Sequence, residues 1–145
     1  MLHLDRSAVA DPRFPLSGPE LMEIFDGLAG VFGLEHWDLS LRLVHDREMA
    51  ELNQTFMGCL GPTNVLSFPA EDADWLGDLV LSVDTLAREA FLYNQDRREY
   101  TVRLLAHGLL HLMGHDHGPE MDALTELAVA SLGVDQDPFR LFSFL

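Results

Sequence analysis

The sequence has one cysteine, no lysine and no long uninterrupted apolar run. A single cysteine, Cys59, excludes an internal disulfide, which is typical of proteins in a reducing compartment. A membrane-spanning helix would need roughly 18 consecutive apolar residues. The amino-terminal stretch MLHLDRSAVADPRFPLSG lacks the basic segment and apolar run of a secretory signal. These absences predict a cytoplasmic protein that does not associate with a membrane.

Positive charge is scarce as well. Nine arginines face 24 acidic residues, so the formal net charge is -15. A field of this sign repels phosphate and disfavours non-specific adhesion to nucleic acid or anionic membranes. Arg88, Arg97, Arg98 and Arg103 fall close together, and a guanidinium group suits bidentate phosphate contact. For each of the four, ordinary solvated helix surface is the favoured interpretation.

The remaining composition is that of a folded protein. A chain of 145 residues with 48% hydrophobic and 23% charged residues predicts one domain, residues 1–145, with a single core. Apolar spacing and turn residues predict the order β, α, β, α, β, β, α, α, α. This order indicates an α+β fold in which a small mixed sheet of about four strands packs against several helices.

Three local signals place the helices. Ser17 and Glu20 form a capping-box pair before a stripe of apolar residues that ends at Gly33. Asp46 is predicted to cap a second helix that runs to about Met57. Pro119 is predicted to start the last helix, whose inward stripe comprises Met121, Leu124, Leu127, Ala128 and Leu132.

The stretch HGLLHLMGHDH, residues 107–117, contains four histidines. His107 and His111 are four residues apart, so on a helix their directions differ by only about 40°. Gly114 is predicted to end the helix and to let the chain turn back, which would bring His117 to the same point. Three neutral imidazoles suit one tetrahedral Zn²⁺ ion that keeps its fourth position for water. The spacing therefore predicts a three-histidine zinc site at a helix C-terminus.

The same spacing matches the metzincin peptidases at three histidines and one glycine, but it departs at one position. Those enzymes need Glu directly after the first histidine as general base, and here Gly108 stands there. A glycine inside a helix indicates that substrate or another part of the chain approaches closely.

Other candidate residues have weaker support. Asp116, Asp78 and Ser67 are considered as groups that position or activate a zinc-bound water, although structural hydrogen bonding is favoured for Ser67 and Asp78. Thr63 and Asn64 are predicted to fix a turn rather than to contact phosphate. The general base stays unassigned.

The histidine stretch closely resembles the HGxLHLxGYDH signature of the YbeY family, bacterial ribosomal-RNA maturation factors described as zinc-dependent endoribonucleases. LNQTFMGCLGPTNVLSFP at 52–69 and LGDLVLSVDTLAREA at 76–90 are similar to two further segments of that family. The resemblance implies an α+β fold and one zinc ion on His107, His111 and His117. It also implies a substrate, single-stranded ribosomal RNA near the small-subunit 3′ end, and partners, the ribosome or its small-subunit proteins, in RNA processing and ribosome quality control.

One departure from the family concerns catalysis. The family's arginine in the segment 52–69 aligns with Met57, which removes a group suited to holding the scissile phosphate. Arg88, Arg97 or Arg103 could replace it. Two alternative functions follow from these features: a non-catalytic, metal-stabilised ribosome assembly factor, and a zinc metallopeptidase.

Overall fold

In the part of the chain that the structure describes, four strands and five helices follow one another in the predicted order. The computed structural model describes residues 1–9, 16–72 and 74–133. The strands are β1 (Leu2–Asp5), β2 (Leu39–Val44), β3 (Val65–Pro69) and β4 (Gly77–Ser82). The helices are α1 (Gly18–Phe32), α2 (Asp46–Met57), α3 (Val83–Leu92), α4 (Arg97–Leu112) and α5 (Pro119–Leu132). The carboxy-terminal aromatic segment with Phe139, Phe142 and Phe144, for which the sequence favours a packing role, lies outside the described residues.

The strands form one mixed sheet in the order β1-β2-β4-β3. β1 pairs with β2, and β2 with β4, in parallel, whereas β3 runs antiparallel to β4 along one edge of the sheet. Leu79 at the middle of β4 is opposite Leu41 on one side and Ser67 on the other. The predicted α+β architecture with a small four-stranded sheet is therefore confirmed.

The main core lies between one face of the sheet and helices α1, α3, α4 and α5, and a smaller buried cluster of Val44, Met49, Leu66 and Val80 packs α2 against the sheet. Alternating residues of the central strands are fully buried, because successive side chains of a strand point to opposite faces: Leu39, Leu41, Leu43, Leu79 and Leu81. α1 contributes a helical stripe of buried residues, Leu21, Ile24, Phe25 and Leu28, and its predicted capping box and Gly33 terminus are both present. Burying such a side chain stabilises the fold by roughly 1.5 to 3 kcal/mol.

The inward face of α5 differs from the predicted stripe. Leu127 is 52% exposed, while Met121, Thr125 and Ala128 are buried. Residues four and seven positions after Met121 lie on its face of the helix, whereas the residue six positions on is turned away by about 120°. The prediction followed hydrophobicity and missed that a threonine occupies the buried position. Its hydroxyl is satisfied by the Met121 carbonyl oxygen, at 2.9 Å.

The predicted cap of α2 is wrong. His45 is the N-cap residue, and Asp46 is the first residue of the helix. The Asp46 backbone N–H donates instead to a carboxylate oxygen of Asp84 on α3, at 2.9 Å. The free N–H group at the start of α2 is therefore satisfied by the side chain of Asp84, and not by a capping side chain next to it in the sequence.

The Asp46 carboxylate, which does not cap α2, connects α2 to the end of β4 and to α3 through hydrogen bonds. It accepts hydrogen bonds from the hydroxyls of Ser82 at 2.8 Å and Thr85 at 2.5 Å, and from the Arg88 guanidinium at 2.9 Å. Burial raises the pKa of Asp46, but the bonds from Thr85, Arg88 and Ser82 outweigh it and leave the pKa below its ordinary value.

Arg98 is not solvated helix surface, contrary to the sequence-based interpretation. Arg98 is 4% exposed, and its Nε donates a hydrogen bond to the carbonyl oxygen of Leu132 at 3.0 Å. Arg98 thus satisfies a backbone group at the end of α5 that the helix cannot satisfy itself. Arg97, one position earlier, is exposed as predicted.

Candidate metal centre

Helix α4 carries His107 and His111 on one side. The Nε2 atoms of the two rings lie 3.2 Å apart, and the ring centroids lie 4.7 Å apart. Both residues are only half-buried, although most of the helix around them is buried against the sheet and α5. The predicted common direction of the two imidazoles is confirmed, and they point to an accessible surface at the end of a buried helix.

A glycine reverses the chain directly after α4. Gly114 has φ +94°, a conformation that favours glycine, and its N–H donates to the His111 carbonyl oxygen at 3.0 Å. The His115 N–H then bonds to the Leu110 carbonyl oxygen, also at 3.0 Å. This turn brings the ring of His117 to 4.9 Å from that of His107 and 4.7 Å from that of His111, between centroids.

The three rings can present one nitrogen each to a common point. One nitrogen from each of His107, His111 and His117 lies within 4.8 Å of the others. In a tetrahedral zinc site with bonds of about 2.0 to 2.1 Å, ligand nitrogens are separated by about 3.3 Å. The 3.2 Å separation of the His107 and His111 nitrogens matches this value, and a nitrogen of His117 lies within 4.8 Å of both. The residues present therefore fit a metal ion.

A backbone group fixes the orientation of His111. Its Nδ1 lies 3.0 Å from the carbonyl oxygen of His115, and because a carbonyl only accepts, Nδ1 carries the proton. The lone pair of His111 is then on Nε2, which faces His107. Orientation of a ligand imidazole through its second nitrogen is common at metal sites. The sequence pattern offered no signal for this contact, because any residue at position 115 has the same carbonyl.

The surroundings of His107 favour its neutral form. Burial lowers the pKa of His107, and the neighbouring His111 and His117 lower it further, while Asp122 on α5 opposes the shift. His107 is therefore uncharged at neutral pH, which is the protonation state in which an imidazole binds a metal.

An open cleft of about 590 Å³ lies in front of the three histidines. We call it the histidine cleft. One wall is formed by Met57, residues 63–67 and Pro69, and the other by the end of α4 and the turn 114–117. Within the described part of the chain, the cleft lining contains no arginine. Arg88 instead pairs with Asp46, and Arg103 forms an ion pair with Glu126 of α5.

Gly108 faces the sheet rather than the cleft. A Cβ at this position would lie 3.0 Å from Leu79, 3.3 Å from Val65 and 3.4 Å from the Ser67 hydroxyl. The expected close approach is therefore made by strands β3 and β4. The Ser67 hydroxyl donates to the Gly108 carbonyl oxygen at 3.1 Å, which matches the predicted structural role of Ser67. A glutamate here would point into the sheet, so this position cannot supply a peptidase-type base.

The structure brings Asp116 to the cleft but leaves Asp78 away from it. Asp116 is exposed and lines the cleft beside His117. Asp78 lies on the opposite face of the sheet from Leu79, where its carboxylate accepts a hydrogen bond from Ser40. The alternation of Asp78 with buried Gly77 and Leu79 was a signal that could have predicted this.

Thr63 and Asn64 line the cleft at the entry to β3. The Asn64 amide donates to Glu89 at 3.0 Å, and its oxygen accepts from the Val65 N–H at 2.7 Å. Both ends of the Asn64 side chain are therefore occupied within the fold, in agreement with the turn-fixing role predicted for it.

Fold and site together define an α+β protein with a three-histidine cluster that could hold a metal ion in an open cleft. The family described as Endoribonuclease YbeY matches residues 20–128. The chain belongs to this family.

Individual proteins agree with this assignment. Endoribonuclease YbeY of Nitratidesulfovibrio vulgaris is 41% identical over 151 residues, covering 86% of this chain and 93% of the relative. The protein of the same name from Oleidesulfovibrio alaskensis is 41% identical over 137 residues, covering 78% of this chain and 81% of the relative. A solution structure from Thermotoga maritima has a TM-score of 0.66 with 24% identity over 95% of this chain and 98% of that one, a likeness of fold. Among the described residues, no helix combines the length and apolarity needed to span a membrane.

Proposed function

We propose that this chain is a zinc-dependent endoribonuclease of ribosomal RNA maturation that processes the 3′ end of small-subunit RNA and serves ribosome quality control. The observation that carries the proposal is the convergence of His107, His111 and His117 at an open cleft, in a chain whose relatives are named endoribonucleases. Residues 1–145 would act as one hydrolase domain. Single-stranded ribosomal RNA, the ribosome and its small-subunit proteins are the proposed partners, and the cytoplasm is the proposed compartment.

One Zn²⁺ ion held by the three imidazoles would supply Lewis acidity, which activates water for hydrolysis and offsets negative charge on a phosphodiester. Residues of the chain itself orient the ligand imidazoles, keep His107 neutral and form the surface for the substrate. The His115 carbonyl keeps the lone pair of His111 directed at the cluster, and the lowered pKa of His107 keeps that ring neutral. β3, which ends at Pro69, forms the wall along which a nucleotide chain can lie.

Asp116 is the proposed site of proton transfer. Among the described residues of the cleft lining it is the one carboxylate, and it lies directly before His117. Asp78 is on the other face of the sheet, and the Ser67 hydroxyl is engaged with Gly108, so neither is proposed for this role. A carboxylate beside the reacting water can accept its proton or orient it.

The test is cleavage of ribosomal RNA by purified protein reconstituted with zinc. The native chain should cut the RNA, and His111→Ala should abolish cleavage, because the cluster loses the ligand whose ring is oriented by the His115 carbonyl oxygen. His36→Ala removes an exposed imidazole elsewhere and serves as the matched control. Equal cleavage by native and His111→Ala protein would discard the mechanism.

A second function is favoured by one observation, the position of Met57 in the cleft wall where the family's arginine is expected. A chain without that cation could bind the ribosome as a metal-stabilised assembly factor without cutting RNA. Ribosome association that persists in His111→Ala, together with no nuclease activity in the native protein, would favour this function over the first. The peptidase alternative loses support, because Gly108 faces the sheet.

A further inference from the structure

Three large apolar side chains are exposed together at the end of α2 and in the turn after it. Phe56 is 60% exposed, Met57 47% and Leu60 88%. We call these three residues the apolar rim. Scattered single apolar residues on a surface need no explanation, but a contiguous group indicates an interaction site.

The apolar rim is carried by an ordered turn. The buried amide of Asn53 donates to the Gly61 carbonyl oxygen at 2.9 Å, and the Cys59 N–H donates to the Asn53 carbonyl oxygen at 3.3 Å. The Phe56 ring lies 5.2 Å from the ring of Phe68 on β3, at an interplanar angle of 71°. These contacts hold the rim outward and reduce the entropy that a ligand would have to remove.

The rim is continuous with the histidine cleft. Met57 of the rim is itself part of the cleft wall. Phe68, which Phe56 contacts, is paired with Asp78 and points to the other face of the sheet, so the rim reaches the cleft through Met57. A nucleotide chain that lies along this wall contacts Met57, and Phe56 and Leu60 are the exposed apolar residues that adjoin Met57 at the end of α2 and in the following turn.

The charges of the protein determine which part of an RNA chain the rim can bind. The net charge is -15, and within the described residues no arginine lines the cleft, so phosphate contacts from the protein are few there. Single-stranded nucleic acid also binds through its bases, which stack on aromatic and apolar side chains and need no positive charge.

We propose that the apolar rim binds an unpaired base of single-stranded RNA, with the Phe56 ring as the main contact and Met57 and Leu60 flanking it. This inference rests on the proposed function, in that RNA is the substrate. The rim positions the strand through a base, in place of the cation that the family's arginine would supply at position 57. Binding should therefore depend on the bases and only weakly on salt.

The experiment measures fluorescence anisotropy of the zinc-loaded protein with a labelled, single-stranded 2′-O-methyl oligonucleotide, whose integrity is checked on a gel. Phe56→Ala should raise the Kd by about 5- to 150-fold, the range for loss of one base–aromatic stack. Phe91→Ala, which removes an aromatic residue of α3 that is 85% exposed and away from the cleft, should leave the Kd unchanged. Leu60→Ser, at a residue 88% exposed, is a second variant that cannot disturb the core.

Two further arms separate base contact from phosphate contact. An oligonucleotide of the same length with abasic positions should bind the native protein weakly and show no response to Phe56→Ala. Met57→Arg should steepen the dependence of log K on log salt by about 0.7, the value for one added phosphate contact on a single strand. A native protein with a steep salt slope and equal affinity for the abasic strand would overturn the inference.

The inference and the proposed function can fail separately. Unchanged affinity in both Phe56→Ala and Leu60→Ser, with RNA cleavage intact in the native protein, would overturn base binding by the apolar rim and leave the proposed nuclease function standing. Loss of affinity in Phe56→Ala, with no cleavage by the native protein, would support the rim and reject the nuclease. If the two variants bind the oligonucleotide normally but no longer associate with small ribosomal subunits, the rim binds a protein and the inference is wrong.

Discussion

Gly77, the first residue of β4, allows a test of how the sheet supports the histidine cleft. Its φ is +143°, and a Cβ built there would lie 2.3 Å from the carbonyl oxygen of Phe68 and 2.8 Å from Leu112 of α4. The Phe68 oxygen belongs to the backbone of β3, so it cannot move without disturbing the pairing of Pro69 with Gly77. Replacement by alanine should therefore strain both the edge strand and the end of α4.

The expected cost has two parts. A non-glycine residue at this φ costs about 1 to 3 kcal/mol, and forcing a methyl group into occupied space costs about 1 to 3 kcal/mol more. Gly77→Ala should therefore lower the free energy of unfolding by about 2 to 6 kcal/mol. Gly30 provides the control, because it lies in α1 and a Cβ there meets nothing within 4 Å. Gly30→Ala should raise the free energy of unfolding by about 0.5 to 1 kcal/mol.

The assay is urea unfolding followed by circular dichroism, which gives the unfolding free energy and its slope with urea for each variant. The two substitutions are chemically identical, so their difference reports the local backbone and space alone. Gly77→Ala with native stability, or a loss of the same size in Gly30→Ala, would refute the reasoning.

Three further predictions concern Asp46, Arg98 and the histidines. Asp46→Asn should lower the unfolding free energy at pH 7 by about 2 kcal/mol. Because the pKa of Asp46 is lowered in the fold, its contribution is complete above its ordinary pKa of about 4 and is lost as pH falls through the folded value, so the variant should show less acid dependence. A native-like acid transition in this variant would contradict that assignment. Arg98→Met should lower the free energy of unfolding in urea by about 1 to 3 kcal/mol, because the Leu132 carbonyl loses its donor. Arg97→Ala should change it by no more than about 0.5 kcal/mol. Equal effects of the two substitutions would contradict the role given to Arg98. Zinc at about 100 times its Kd should raise the native unfolding free energy by about 2.7 kcal/mol, and a similar gain in His111→Ala would place the metal elsewhere.

The local sequence was sufficient to predict the helices and strands and the convergence of the three histidines. The helical spacing of α1, the alternation in β2 and the i, i+4 pair His107 and His111 are all set by residues within two or three turns of each other. The return of His117 also depends on a short segment, because Gly114 adopts a left-handed conformation directly after α4. Each of these features follows from near neighbours, which is why they could be predicted.

Features set by distant contacts could not be predicted in this way. The Asp46 N–H is satisfied by Asp84, 38 positions later in the chain. Arg98 is buried where its Nε donates to the carbonyl oxygen of Leu132, 34 positions later in the chain. No pattern in the local sequence predicts this contact. The position of β3 at the edge of the sheet beside β4 places Ser67 and Pro69 in the wall of the histidine cleft, and this position depends on strand pairing between distant segments.

X-ray absorption at the zinc edge, on protein purified and then loaded with zinc, addresses the metal centre directly. The proposed site predicts one zinc per chain with three imidazole nitrogens at about 2.0 to 2.1 Å and one further light ligand. In His111→Ala the zinc content or the number of imidazole ligands should fall. A stoichiometric zinc whose imidazole shell is unchanged by His111→Ala, or native protein that retains no zinc, would contradict a centre built on His107, His111 and His117.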